Sequence, residues 1–363
     1  MFELWWWRLR RSRLLWMLAA GAVVFGSGVA GVSYWRKGQE DQALVARLNR
    51  QVESLAQEVQ QAPARPQKLQ TAEKPYWQAL AIKKQLVTAQ HHAALALAAK
   101  DYRRFTDDYA VALTTTLELE KVQPDSGLAF AQMTLPALNA RRHKALQIAA
   151  SKQTLIWSIW SLAPRALAQR CLAFLMWLPV LVFVTFGCGT LWRELFDTPN
   201  WRFQLLNTRR GWQLQVVDLG FTVVLLLGFT VVAVGIATLW GCALGGAEQV
   251  GWRYPLSNTS TLGHQWLTQL SYWLPCTVMV VSWYQFGTLV VRQLSGRLAL
   301  LLLVAIGLGF IPGSANPFAQ LQCRALTAEQ TDGWWPAAVL VLVALVAVAA
   351  VARQLRVTSH GGG

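Results

Sequence analysis

Residues 219–247 read LGFTVVLLLGFTVVAVGIATLWGCALGGA and contain no charged side chain. A helix needs roughly 20 predominantly apolar residues to cross the hydrocarbon core of a bilayer. This run exceeds that length, so it predicts a membrane-spanning helix that tilts or continues into a surface turn. The stretch places the chain among integral membrane proteins.

The composition of the whole chain agrees with this class. Hydrophobic residues make up 54% of the 363 residues and charged residues 14%, whereas soluble proteins are about 25% charged. Nineteen tryptophans suit a protein with aromatic rings at two membrane interfaces. The net charge of +15 is compatible with nucleic acid or with anionic lipid. Because the apolar residues lie in long blocks, membrane lipid is the favoured partner, and no nucleic acid partner is expected.

Six segments are long and apolar enough to predict spans. The expected fold is therefore an all-α integral membrane protein with six transmembrane helices. A helical extracellular domain separates the first helix from the second. In chain order the predicted spans are Leu14–Tyr34, Cys171–Trp192, a helix within Leu219–Ala247, Leu267–Val291, Leu298–Pro312 and Trp334–Ala352.

The first span contains small residues at four-residue spacing, namely Ala22, Gly26 and Ala30. Such a stripe lets another helix approach closely, and we expect it to pack at an interface between two subunits. A cleaved signal peptide is the alternative for this segment, but its apolar stretch is longer than the usual signal core.

The arginines of the short loops predict the orientation. With the N-terminus inside, the cytoplasmic segments hold twelve arginines and the short outer loops only Arg253 and Arg324. Positive residues concentrate on the cytoplasmic side, so both termini are expected in the cytoplasm of a cell-membrane protein. The predicted organisation is residues 1–13 as a cytoplasmic elbow segment, 14–34 as span one, 35–170 as the extracellular domain, 171–352 as spans two to six, and 353–363 as a cytoplasmic tail.

The extracellular insert is expected to be all helical. Its first helix has an a/d seam that indicates packing on neighbouring helices, and the prolines of residues 62–66 end it. A helical region from Pro75 to Val122, a turn at Pro124–Gly127 and a helical region Leu128–Ala168 follow, the last interrupted near Pro136 and Pro164. The seam residues are Val45, Leu48, Val52, Leu55 and Val59.

The cysteines show no metal-binding spacing. Cys171, Cys188 and Cys276 are predicted to be small buried hydrophobic residues. Cys242 and Cys323 would face the same side, so a disulfide between them is an open alternative. No catalytic, cofactor-binding or metal-ligating residue is predicted anywhere in the chain.

Missing motifs limit the function classes. The chain contains no GxxxxGK[ST] phosphate-binding pattern. The six apolar cores contain no charged residue and no histidine, whereas ion-coupled transporters usually need ionisable groups there. A membrane enzyme needs a catalytic constellation that is not evident. The chain is therefore expected not to be an enzyme, and any energy for transport would come from another subunit.

A charged segment with tryptophans, at about residues 198–217, lies between the second and third spans on the predicted cytoplasmic side. Its apolar and basic residues suit a docking surface for a soluble motor protein. An interfacial helix with basic residues and no partner is the alternative.

Several short motifs, in order along the chain, resemble those of ABC-2-type exporter permeases in the Gram-positive form with a helical extracellular insert. A basic amphipathic elbow corresponds to residues 4–11, and a Glu after span two corresponds to Glu194, with the segment ending at Arg209-Arg210. Asn207 stands where these permeases often have Pro. The outer elements Gly251-Trp252-Arg253-Tyr254-Pro255 and Asn316-Pro317-Phe318 also correspond.

The resemblance implies that the cytoplasmic segment is a coupling helix that docks on an ATPase subunit. The implied assembly has two ABC ATPase subunits, which bind ATP and Mg, and a second permease subunit, identical or homologous. The implied coupling residues are Glu194, Trp201, Arg202, Leu205, Asn207, Arg209 and Arg210.

The resemblance also associates Gly251, Tyr254, Pro255, Asn316 and Pro317 with re-entrant outer elements, for which simple turns and helix stops are the alternative. Without charged residues in the spans, an amphipathic or hydrophobic cargo, peptide-like or lipid-like, is favoured. The alternative function is a membrane sensor or scaffold whose extracellular domain binds a ligand without transport.

Overall fold

The structure is a computed structural model that describes residues 14–63, 73–194, 211–245, 248–256 and 261–290, with isolated residues between 295 and 349. The predicted elbow, the tail, residues 198–210 of the predicted coupling helix and all but those isolated residues of spans five and six lie outside the described residues. Within the described residues the chain is mostly helical and has no strand, as the sequence predicts. The helices are α1 (Leu14–Gln60), α2 (Lys74–Ala98), α3 (Tyr102–Val122), α4 (Ser126–Ala131), α5 (Leu135–Ala150), α6 (Pro164–Leu175), α7 (Leu178–Glu194), α8 (Gly211–Leu244) and α9 (Leu262–Val290).

Two of these helices, α1 and α8, are long and apolar enough to cross a membrane. The predicted second span is not one straight helix, because α6 and α7 are bent by 73° relative to each other. Pro179 stands in the first turn of α7, where a proline without an N–H group is tolerated and where the preceding helix cannot continue. If this bent pair is one span, the described residues contain three candidate spans. Helix α9 covers the fourth predicted span up to Val290, but it is not among the helices found long and apolar enough to cross a membrane.

The insert follows the predicted helical plan with two differences. The predicted helix from Pro75 to Val122 is divided between Ala98 and Tyr102, because Asp101 starts α3 and its carboxylate accepts a hydrogen bond from the Arg104 N–H group at 3.0 Å. A side chain that caps the first turn stabilises the new helix start. Residues 151–163, which were expected to be helical, form turns and irregular backbone instead.

The described chain divides into two compact units. One, the membrane unit, comprises Met1–Val29, Ala168–Leu239 and Gly263–Gly363, and the other, the insert unit, comprises Ala30–Leu167 and Trp240–Leu262. In the membrane unit, α6, α7 and α9 share an apolar cluster that includes Leu172, Val182 and Cys276. Residues of α1, α7, α8 and α9 form a second apolar cluster in this unit.

In the insert unit, the first helix packs on α2 and α3 through its a/d seam, as predicted. Leu48 and Leu55 are buried in two apolar clusters. Burying one leucine side chain contributes about 1.5–3 kcal/mol to the free energy of folding. The helical insert is therefore held together by its own core.

The cysteines follow the predicted pattern in part. Cys171, Cys188 and Cys276 are buried, which confirms the prediction for these residues. Cys242 is an exposed free thiol, so the structure shows no disulfide at this residue. Cys323 lies outside the described residues.

The small residues of α1 allow a close approach to α8 in the same chain. A Cβ atom at Gly26 would lie 2.5 Å from the Ala233 carbonyl oxygen and 3.2 Å from the Ile236 Cβ. Ala22 and Ala30 are also buried. Gly26 thus packs against a helix of its own chain, and a role of this stripe between two subunits stays a prediction.

Replacing Gly26 by Val is expected to lower the free energy of unfolding by about 1–3 kcal/mol, because the added methyl groups meet the α8 backbone. The measurement is thermal unfolding of the full chain in a mild detergent. Gly28→Ala is the matched control, since no atom lies within 4 Å of a Cβ atom at Gly28. Equal unfolding temperatures for the two variants would contradict the close packing.

Candidate functional site

A buried ion pair joins α1 to the segment that follows α8. The Lys37 ammonium group contacts a carboxylate oxygen of Glu248, and each side chain is only 5% exposed. Both residues stand just outside predicted apolar spans, so a search for charges inside the spans misses them. Removing two charges from water is costly unless they pair and form further hydrogen bonds.

The second oxygen of Glu248 is bonded by the chain that enters α6. It accepts hydrogen bonds from the Leu162 and Ala163 N–H groups, both at 3.1 Å, and from the Ser161 hydroxyl. Since α6 begins at Pro164, this carboxylate lies at a helix N-terminus, where unpaired N–H groups and the helix dipole favour a negative charge. Glu248 therefore connects α1, the start of α6 and the end of α8.

Two glycines near the end of α8 make this connection sterically feasible. A Cβ atom at Gly241 would lie 2.6 Å from the Pro164 Cα, and one at Gly245 would collide with the Leu162 carbonyl group. The backbone can approach residues 162–164 only where side chains are absent. The four-residue spacing of Gly241 and Gly245 was the sequence signal available for this contact.

Around Lys37, an aromatic ring and a second carboxylate complete the buried network. The Lys37 Nζ lies 3.9 Å from the centroid of the Tyr102 ring, a cation–π contact. The Tyr102 hydroxyl donates to Asp41 at 3.0 Å. Burial raises the pKa of Asp41, although Lys37 and the Tyr102 hydroxyl act in the opposite direction. Burial, followed by the Asp41 charge, raises the pKa of Tyr102.

The loop after Glu248 is held by residues 153–165 of the same unit. The Thr154 N–H group donates to the Gln249 carbonyl at 2.9 Å, and the Arg165 guanidinium donates to the Val250 carbonyl at 2.9 Å. The side-chain oxygen of Gln153 accepts from the Gly251 N–H group at 3.0 Å. These bonds tie the loop to the irregular segment that sequence analysis expected to be helical.

The Gly251–Pro255 element forms a turn in the structure. The Tyr254 N–H group donates to the Gly251 carbonyl at 3.1 Å, and Pro255 forms an antiparallel bridge with Thr261. Tyr254 is 1% exposed, and its hydroxyl accepts from the Ile156 N–H group at 2.8 Å. This geometry agrees with the turn interpretation of the motif, and its association with re-entrant outer elements stays a prediction.

Of the other predicted site residues, those that the structure describes do not join this network. Glu194 is the last residue of α7, and the small residues of the first span lie on α1. Trp201, Arg202, Leu205, Asn207, Arg209, Arg210, Asn316 and Pro317 lie outside the described residues. Among the residues that the structure does describe, no group of three His, Cys, Asp or Glu side chains is arranged to hold a metal ion.

This site fastens the chain, because Glu248 pairs with Lys37 through one carboxylate oxygen and accepts three hydrogen bonds at the other. Glu40 adds a further tie, since it accepts from the Ser158 hydroxyl at 2.5 Å. The site joins three distant parts of the chain through groups that depend on charge. Neutralisation of Glu248 is therefore expected to release all three parts.

Replacing Glu248 by Gln is expected to lower the free energy of unfolding by about 3–5 kcal/mol, because it leaves Lys37 buried without a counter-charge. The double variant Lys37→Met/Glu248→Gln should recover part of this loss. Thermal unfolding and limited proteolysis of the full chain in detergent measure the effect.

The control for this prediction is Glu58→Gln. Glu58 pairs with Lys83 at 2.7 Å but its side chain is 57% exposed, and such pairs contribute about 0–1 kcal/mol. If Glu248→Gln costs no more than Glu58→Gln, the buried pair does not hold these segments together.

The raised pKa of Asp41 predicts that the stability of the folded protein depends on pH. Because its pKa is raised in the folded protein, its contribution to stability is complete below the ordinary Asp pKa and is lost as the pH rises through the raised pKa. Asp41→Asn should therefore raise the unfolding temperature at pH 7 and make little difference at pH 4.

The control is Asp107→Asn, since the Asp107 side chain is 48% exposed. The unfolding temperature of Asp107→Asn should not show a rise at pH 7 that is missing at pH 4. If Asp41→Asn lowers the unfolding temperature at pH 7, attraction between Asp41 and Lys37 outweighs the cost of burying the carboxylate.

Comparisons of this chain with protein-family models, with curated proteins and with solved structures found no match. The arguments about function consequently depend on the geometry of the described residues and on the motifs in the sequence. At the coarser level, the two long apolar helices are compatible with a membrane protein.

Proposed function

We propose that this chain is the transmembrane permease subunit of an ATP-driven ABC exporter. The observation that carries the proposal is the continuity of α8, which begins at Gly211, directly after the basic cytoplasmic segment, and continues to Leu244. With 34 residues and 1.5 Å per residue, α8 is about 51 Å long. That length exceeds the hydrocarbon thickness of about 30 Å.

The two ends of α8 support this proposal. Residues 211–217, the last part of the predicted coupling helix, are already helical and belong to α8. Four residues beyond the other end, Glu248 is fastened to Lys37 and to the start of α6. In this proposal, a displacement of residues 198–210 by a motor subunit moves α8 as a rigid rod and pulls on the buried network.

The proposed assembly contains two such permeases, identical or homologous, and two ABC ATPase subunits that bind ATP and Mg. The permease resides in the cell membrane with both termini in the cytoplasm. Closure of the ATPase dimer would press on the coupling residues, among them Arg209 and Arg210. The cargo would be amphipathic or hydrophobic, peptide-like or lipid-like, because the predicted spans contain no charged residue.

A sensor or scaffold without transport is the second candidate, and the shape of α1 favours it. This helix has 47 residues and extends without a break from the predicted first span into the insert. A continuous helix of this kind would carry a ligand signal from the extracellular domain as directly as it would carry a mechanical step. The presence of an ATPase partner discriminates between the two candidates.

The test is affinity purification of the tagged full chain from its native membrane in mild detergent. The wild type is expected to bring down a nucleotide-binding subunit, and Arg209→Glu/Arg210→Glu should reduce its recovery about tenfold or more, because reversal of two charges at a docking surface costs several kcal/mol. Quantitative mass spectrometry of the eluates is the measurement.

The matched control is Arg353→Glu/Arg356→Glu, which reverses the same charge in the predicted cytoplasmic tail. It should retain the nucleotide-binding subunit. If the wild type recovers no such subunit, the exporter proposal lacks its energy source and the sensor candidate takes its place.

A further inference from the structure

One face of α9 carries polar groups that are buried and have no hydrogen-bond partner among the described residues. Four of its residues recur at four-residue spacing: Gln265, Gln269, Trp273 and Thr277. Their exposures are 6%, 1%, 6% and 0%. The unpartnered atoms are the Gln265 Oε1, both side-chain polar atoms of Gln269, the Trp273 Nε1 and the Thr277 Oγ1.

Two further residues of the membrane unit also have a buried polar atom without a hydrogen-bond partner. They are Gln169 on α6 and Thr185 on α7. They are 4% and 0% exposed, and the Gln169 Oε1 and Thr185 Oγ1 have no partner. Gln169 is three residues before Leu172, and Thr185 is three residues after Val182. Because residues three apart share a helix face, both lie on the faces that pack against α9 through the shared apolar cluster. We call these six residues the polar seam.

Hydroxyl groups elsewhere in the same unit show that these positions are unusual. Thr238 on α8 and Ser282 on α9 donate to the carbonyl four residues earlier, both at 2.7 Å. Such a bond satisfies a hydroxyl inside an apolar helix. Thr185 and Thr277 form no such bond although their helices offer the same carbonyl groups. Their hydroxyls are therefore left for another partner.

No residue within the described part of the chain supplies that partner. A buried polar group without a hydrogen bond costs about 1–3 kcal/mol, and the seam holds several such groups on three helices of one unit. Since each of the six residues is at least nine-tenths buried within one chain, a second subunit that docks on the outside does not reach them. A molecule that enters between α6, α7 and α9 does.

We propose that the polar seam is a binding site for the uncharged, hydrogen-bonding part of an amphipathic ligand, an amide or a sugar-type hydroxyl group. Gln269 requires a ligand that both donates and accepts, because its carbonyl and its amino group both lack partners. No Asp, Glu, Lys or Arg occurs in α9, so that helix offers no counter-charge for an ion. The apolar cluster beside the seam suits the alkyl part of the same ligand.

This inference names the chemical class of the cargo, and to that extent it rests on the proposed function. The site itself does not depend on an ATPase partner. Its test is therefore performed on the permease chain alone, reconstituted in lipid nanodiscs, and its outcome is independent of the affinity purification.

The experiment measures thiol accessibility. Single cysteines are placed in a cysteine-free background as Gln269→Cys and Thr277→Cys, and each is reacted with a small water-soluble methanethiosulfonate. Both should react at least about tenfold faster than the native Cys276 retained alone, because a ligand site must admit small water-soluble molecules whereas the apolar cluster does not, and thiol reactivity follows that access. Cys276 is the matched control, since it is next to Thr277, is 1% exposed and belongs to the apolar cluster.

The ligand class is tested by protection of the Gln269→Cys thiol. Octyl glucoside supplies hydroxyl groups and N-octanoylglycinamide supplies amides, and at least one of them should slow the reaction. Octyl sulfate and octyltrimethylammonium have the same alkyl chain with a charge and should not protect. Equal slow rates at all cysteines, absence of protection by both neutral probes, or equal protection by a charged probe would each overturn the proposal.

A second variant separates ligand binding from a role in folding. Gln269→Met removes an amide that has no partner in the chain, so it should leave the unfolding temperature of the ligand-free protein unchanged or higher. It should also abolish the thermal stabilisation that the protecting neutral probe gives to the wild type. A lower unfolding temperature without ligand would show that Gln269 serves the fold, which contradicts the proposed site.

Discussion

The insert unit depends most on the ion pair and the hydrogen bonds that the buried Glu248 carboxylate forms. This carboxylate pairs with Lys37 and also accepts N–H groups where α6 begins. A buried charge is tolerated only when its partners are all in place, because each missing partner leaves a desolvated group. The segments that supply those partners come from three distant parts of the sequence. The charge thereby specifies one arrangement of these segments far more strictly than apolar contacts alone, which accept many arrangements of similar volume.

The same reasoning explains the glycines and the irregular segment around this carboxylate. Gly241 and Gly245 remove side chains where the α8 backbone meets residues 162–164. The non-helical backbone of residues 151–163 leaves N–H groups free to bond outside a helix, and several of its polar groups bond to residues 248–254. Segments that are far apart in the sequence are thus joined where the backbone is not helical. A chain of uninterrupted helices would satisfy its N–H groups internally and would have none to offer.

Hydrogen bonding of buried polar groups differs between the membrane unit and the insert unit. In the insert unit the buried charges of Lys37 and Glu248 are paired, whereas in the membrane unit the described helices leave uncharged groups such as Gln269 and Thr277 buried without a partner. A network that is fully bonded favours rigidity, and one that is incompletely bonded favours the entry of another molecule. The bonded network thus fastens the insert unit, and the unpartnered groups keep hydrogen-bonding capacity inside the membrane unit.

The sequence by itself determined the features that depend on local composition and periodicity. Leu219–Ala247 predicted the apolar part of α8, and the a/d seam predicted the burial of Leu48 and Leu55, because apolar period and length act within one helix. Only the tertiary structure decided the bend between α6 and α7, the pairing of Lys37 with Glu248 and the polar seam. These features depend on groups that are far apart in the chain. The free energy of a buried charge or amide is determined by the partners that the fold brings next to it.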